Sequence, residues 1–175
     1  MEWYTFEAAV AGSQAPQEVL DDLQLIEVPY NSFDNQVRTG QLLVHKDLAI
    51  ELQSVFIEMF NLGFPIEKVI PVVAYGWDDE QSMLDNNTSA FNYRQVIATN
   101  DLSNHSLGRA VDINTRLNPY HARDGKVYTK GAVLNPDIPG TIAPGSPIIG
   151  LFKSYGWEWG GDWQDRRDYQ HFQKL

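Results

Sequence analysis

A chain of 175 residues with a net charge of −10 and no cysteine suits one domain that buries roughly 70% of its unfolded surface. It offers no disulfide, thiolate metal ligand or cysteine nucleophile. The acid excess repels phosphate backbones and anionic membrane surfaces, so neither nucleic acid nor a lipid surface is an expected partner. No apolar run approaches the ~20 residues of a membrane span, and Met1-Glu2-Trp3-Tyr4 shows neither the basic nor the apolar region of a signal peptide.

In chain order, Pro16 to Leu23 reads as a short helix with Pro16 in its first turn. Leu25 to Tyr30 alternates apolar and polar residues, as a strand does, and Asn31 to Gln41 carries the Ser, Asp, Asn and Gly of a loop. Lys46 to Asn61 is the clearest helix. Leu48, Ala49, Leu52, Val55, Phe56, Met59 and Phe60 form one apolar stripe, closed by Gly63 and Pro65. Val69 to Ala74 is expected as a short buried strand and Gly76 to Asn92 as irregular chain. Val96 to Thr99, Arg109 to Ile113 and Lys126 to Thr129 read as strands, and the proline-rich stretch Asn135 to Pro147 as a loop. Ser146-Pro147 opens a helix through Ser154 that Gly156 ends, and Arg167 to Lys174 is a closing strand. The pattern implies an α+β fold: one small domain with a central, mostly antiparallel sheet flanked by helices.

Of the four histidines, His105 and His171 stand in informative surroundings. On a strand from Arg109 to Ile113, Val111 and Ile113 share one face and Ala110, Asp112 and Asn114 the other, so an inward apolar pair aims Asp112 into a cleft. Gly108 allows the turn that brings His105 back toward Asp112. Two imidazoles and one carboxylate are a ligand set for a borderline cation such as zinc, and three protein ligands leave one position open to water. Each histidine alone reads first as a surface pair or a satisfied core group; the two together, with an acid three residues before His171, point toward a site. Asp168 lies three residues before His171 and would face the opposite side of a regular strand, so a bend must separate the two if they serve one site. There Asp168 can act as general base; as an exposed acid beside Arg166 and Arg167 it has no such role.

The run Ser103-x-His105-x-x-Gly108-x-Ala110-x-Asp112 resembles the S-x-H-x-x-G-x-A-x-D motif of the D-alanyl-D-alanine carboxypeptidase and L-alanyl-D-glutamate endopeptidase family, zinc enzymes of bacterial wall maturation, vancomycin-type resistance and phage lysis. The ending Gly156-Trp157-Glu158-Trp159-Gly160-Gly161-Asp162-Trp163, followed by Asp168-x-x-His171-Phe172, is similar to that family's ending, with Asp where other members have Glu. The resemblance runs from about Tyr30 to the end. It implies an N-terminal extension of unknown role, residues 1–25, before a zinc peptidase domain, residues 26–175. It further implies one zinc ion held by His105, Asp112 and His171, Asp168 as general base, Ser103 as a hydrogen-bonding support, and peptidoglycan stem peptides as substrate.

The family also carries an arginine upstream of the histidine motif, for a substrate carboxylate or the developing oxyanion, and Arg94 is the candidate. Trp157, Trp159 and Trp163 are expected to pack rather than to line a groove; His45 and His121 receive no role. The resemblance implies action at the cell wall, in the periplasm or outside the cell after export, or in the cytoplasm before phage lysis. Three other readings stand beside it: a metal-free wall glycosidase using Glu158, Asp162 or Asp165, a metal-binding wall-recognition module without turnover, and a calcium-stabilised structural protein, against which the two imidazoles speak.

Overall fold

The computed structural model describes residues 3–96 and 101–175. Two one-turn helices, α1 (Phe6–Ala9) and α2 (Gln17–Leu20), precede a long antiparallel hairpin of β1 (Leu23–Asn31) and β2 (Val37–His45). A single 3-10 turn, Lys46–Leu48, then leads into α3 (Ala49–Asn61). The predicted stripe on α3 is the buried one: Leu52, Val55, Phe56 and Met59 lock onto Ile26, Val28, Leu42 and Val44 of the hairpin in the main core. The other side of the hairpin is covered by the N-terminal segment, where Leu23, Leu43, Ala9 and Phe91 form a second cluster with Phe6, Val10 and Leu20 against it. Residues of the expected N-terminal extension therefore cover a hairpin face, and β1 itself starts at Leu23.

The loop expected over Asn31 to Gln41 is a tight turn followed by β2. Polar Arg38, Thr39 and Gln41 disguised the strand. Gly40 sits within it because a Cβ there would lie 2.4 Å from Val69 Cβ. Buried Gln41 exchanges hydrogen bonds with the backbone of Tyr4, which removes the cost of its burial. The strand expected over Val69 to Ala74 shrinks to β3 (Lys68–Val69), since Pro71 has no N–H for a ladder and caps a 3-10 turn, Val72–Tyr75. The stretch expected to be irregular contains α4 (Asp79–Leu84), started by Asp78, whose carboxylate accepts from Gln81 N at 3.1 Å. It also contains β4 (Asn87–Thr88), parallel to β3.

The strand expected over Val96 to Thr99 lies largely outside the described residues. Gln95 and Leu102 form an isolated antiparallel bridge on either side of it. The remaining elements are β5 (Ala110–Asp112), β6 (Tyr120–His121), β7 (Val127–Tyr128), α5 (Pro147–Ser154), β8 (Glu158–Trp159), β9 (Arg167–Asp168) and β10 (His171–Gln173). Among the described residues they pair as two three-stranded antiparallel sheets, β5-β10-β8 and β7-β6-β9. The chain is thus a small α+β domain in which antiparallel pairing dominates, distributed over several small sheets.

Candidate metal centre and active-site cleft

His105 stands on a one-turn 3-10 helix, Asn104–Leu107. Ser103 opens that turn, its hydroxyl accepting from His105 N at 3.3 Å. Gly108 closes it at φ 65, where a Cβ would come within 2.6 Å of His45 N, so both conformation and space demand glycine. The chain then enters β5 with Val111 in the core and Asp112 at its end. In the β5–β10 register His171 lies directly opposite Asp112, so strand pairing alone sets these side chains next to each other.

The three residues are buried and meet at one point. His105 Nε2 lies 3.2 Å from Asp112 Oδ2 and 3.2 Å from His171 Nδ1, which lies 2.9 Å from Asp112 Oδ1. The outer nitrogens define the tautomers. His105 Nδ1 faces the Ala90 carbonyl, which can only accept, and His171 Nε2 faces Gln173 Oε1 at 3.0 Å. With those protons on the outside, two imidazole lone pairs and a carboxylate point inward at one another. That cluster could hold a cation. Neighbouring ligand atoms on a tetrahedral zinc with ~2.0–2.1 Å bonds lie ~3.3 Å apart, close to the separations here, so the donor set and its spacing both fit a metal ion. Burial, the largest single influence, pushes the His105 imidazole down, but the Asp112 charge and the hydrogen bonds to Asp112 and the Ala90 carbonyl together hold it above its ordinary value. Burial likewise opposes the Asp112 carboxylate, and the two imidazoles overcome it, keeping Asp112 well below the usual carboxylate range.

Asp168 is carried by β9, and a bend at Tyr169 and Gln170 separates it from β10, so the expected single closing strand is two short ones. The break lets Asp168 and His171 serve the same cleft. Gly160 makes room for it: a Cβ there would sit 2.7 Å from Asp168 O and 3.2 Å from His171 Cβ. Although Asp168 retains some exposed surface, its Oδ1 is sealed from solvent with no hydrogen-bond partner among the described residues. Burial, then the charge of Asp112, push this carboxyl up to about 7.

Arg94 reaches the same cavity, of about 250 Å³. Its Nε pairs with Asp79 Oδ2 at 3.0 Å, and its backbone is pinned to the histidine turn. Ser103 N donates to Arg94 O at 3.0 Å, and Ser106 Oγ accepts from Arg94 N at 2.9 Å and donates to Arg94 O at 2.7 Å. The aromatic walls are Tyr120, Tyr128 and Trp163, and Trp163 stands 5.3 Å from the His171 ring with the Arg166 guanidinium 4.2 Å above its own. Of the three tryptophans expected to pack, Trp157 and Trp159 are core, whereas Trp163 lines the cleft.

His105, Asp112, His171, Asp168, Arg94 and Ser103 all border this one cavity. Asn114, expected on the same face as Asp112, instead turns away at φ 46 and is buried, bonding Pro65 O, Gly140 O and Glu67 N. Glu158, Asp162 and Asp165, the acids of the glycosidase reading, do not line this cavity. The sequence reading missed Asp79, Ser106 and Gln173. Ser106 lies inside the motif and Gln173 is two residues beyond His171 on a strand, a spacing that puts them on one face; nothing local marks Asp79.

The site thus combines inward donors that could hold a cation with a neighbouring carboxyl pushed up to about 7. Residues 97–174 match the family model for D-alanyl-D-alanine carboxypeptidase, so this segment is similar to that peptidase family. The matched span includes Ser103, His105, Asp112, Asp168 and His171, while Arg94 precedes it. No curated protein and no solved structure matches the chain. No helix among the described residues is long and apolar enough to cross a membrane.

Proposed function

We propose that this chain is a zinc peptidase that cleaves amide bonds in bacterial peptidoglycan stem peptides, of D,D-carboxypeptidase or L-alanyl-D-glutamate endopeptidase type. The observation that carries the reading is the convergence of His105 Nε2, His171 Nδ1 and the Asp112 carboxylate beside Asp168, a half-buried carboxyl whose Oδ1 is sealed from solvent. Two imidazoles favour zinc over calcium or magnesium, which take oxygen ligands. Zinc held by these residues would supply Lewis-acid chemistry, acidifying water and polarising the scissile carbonyl. Asp168 takes the proton of the attacking water and returns it to the departing amine; a carboxyl titrating near 7 is suited to both transfers. Arg94, held in place by Asp79 and the serines of the histidine turn, donates to the developing oxyanion or to a substrate carboxylate. Tyr120, Tyr128 and Trp163 offer ring faces to the peptide and exclude water. The place of action is the wall, reached by export or released at lysis.

The test is to incubate the zinc-loaded chain with purified muropeptides and identify the products by mass. Loss of a terminal D-alanine, or release of L-alanine bearing the sugar, is the expected outcome and distinguishes the two bond types. Cleaved sugars that persist in the presence of chelator would mean a glycosidase. Intact muropeptides from a chain that still binds zinc would mean a recognition module.

A further inference from the structure

Strand β10 alternates in the expected way. Phe172 enters the core and stacks on Phe152 with ring centres 3.9 Å apart, while His171 and Gln173 share the opposite face. The Gln173 amide meets three polar groups. Its Oε1 lies 3.0 Å from His171 Nε2 and 2.7 Å from Asn104 Nδ2, and its Nε2 donates to Glu158 Oε2 at 3.1 Å. A carboxylate only accepts, so Glu158 decides which end of the amide is nitrogen. The oxygen is thereby turned to His171, whose Nε2 must carry the proton. His171 can then offer only Nδ1 inward, the atom that faces His105 Nε2 and Asp112 Oδ1. Asn104 adjoins His105 on its turn and Glu158 stands opposite Gln173 on β8, so one amide joins both histidine-bearing elements to the sheet.

We propose that Gln173 is a positioning residue of the metal centre, selecting Nδ1 as the ligating nitrogen of His171, and that Glu158 orients Gln173 for this task. The proposal rests on the reading of His105, Asp112 and His171 as metal ligands. Gln173 acts through His171 and touches no reacting atom. Partners of this kind, bonded to the second nitrogen of a ligating histidine, fix its ring and tautomer.

The experiment measures the zinc Kd of the full chain by chelator competition, with the visible spectrum of the cobalt-substituted protein as a second readout of ligand geometry. Gln173→Leu is expected to weaken zinc about 10- to 100-fold and to alter the cobalt spectrum. Glu158→Leu, at an exposed position, is expected to shift the Kd in the same direction, but to add nothing in the Gln173→Leu background, because its effect passes through that amide. The exchanged pair Gln173→Glu with Glu158→Gln again puts an acceptor on His171 Nε2 and a donor behind it, and is expected to restore the Kd. This pair and Glu158→Leu carry the test if Gln173→Leu does not fold. An unchanged Kd in folded Gln173→Leu, additive losses at the two positions, or an exchanged pair as weak as Glu158→Leu would each overturn the proposal alone. A wild-type chain with no zinc affinity would overturn the ligand reading and this proposal together.

Discussion

At Asp168, burial and the neighbouring Asp112 charge act in the same direction, and both raise the carboxyl. A base that touches water but not the metal can be removed without emptying the site. Asp168→Asn should therefore keep the wild-type zinc Kd while muropeptide turnover falls by about 10²- to 10⁴-fold; near-wild-type turnover would remove the base assignment. The same shift sets a pH dependence of stability in the metal-free protein. A raised folded-state pKa means stability present below the ordinary 3.8 of Asp168 and lost as pH rises toward about 7. His105, raised above 6.5, has the same sign at a higher pH. Asp112, lowered, has the opposite sign, and its contribution is lost only as pH falls below the ordinary carboxylate range. The melting temperature of chelated protein should thus decline from pH 4 to 7, and the decline should be shallower in Asp168→Asn. Parallel curves for the two proteins would show that the buried carboxyl does not titrate in this window.

At the scale of elements, the site depends on short pieces held in tight contact. The β5–β10 ladder seats Asp112 against His171, and the 3-10 turn that begins at Gly160 lets β9 pass close enough for Asp168 to join them. Gly160→Ala would drive a methyl against backbone and two Cβ atoms, none of which can rotate away. The expected outcome is a loss of about 1–3 kcal/mol in stability, with turnover reduced at least as much as in a comparable destabilised core variant. A Gly160→Ala enzyme with unchanged melting and kinetics would show that the strands shift to accommodate it. The same shortness explains the misread elements. Two-residue strands carry no period to detect, and β2 was hidden because Gly40 and Gln41 answer to Val69 and Tyr4, which are distant in sequence.

Across the whole molecule, the candidate ligands tie together a turn, a strand and the C-terminal strand, with His105 and His171 66 positions apart. A cation bound to the folded state alone therefore stabilises the whole domain. At zinc concentrations 1,000-fold above Kd the gain is about 4 kcal/mol, which for a chain of this size corresponds to a melting temperature about 10 °C higher. Chelation should remove that increment and added zinc should restore it, as read by calorimetry; identical curves with and without chelator would refute a structural contribution from the metal. The β1–β2 hairpin has a separate part in this. Covered by α3 on one face and by the N-terminal segment on the other, it backs the histidine turn through the bond from His45 N to Gly108 O at 2.9 Å.

The amino-acid sequence by itself determined the α3 stripe, the turn at Gly108 and the inward Val111 and Ile113, because each depends on local spacing or on a residue type that little else can replace, and its motifs picked out the candidate site residues that border one cavity. Only the tertiary structure decided that Asp79 anchors Arg94, that Trp163 alone of its cluster enters the cleft, and which nitrogen of each histidine faces inward. Those outcomes depend on which distant groups the fold brings within hydrogen-bonding reach, and a linear pattern carries no record of such distances.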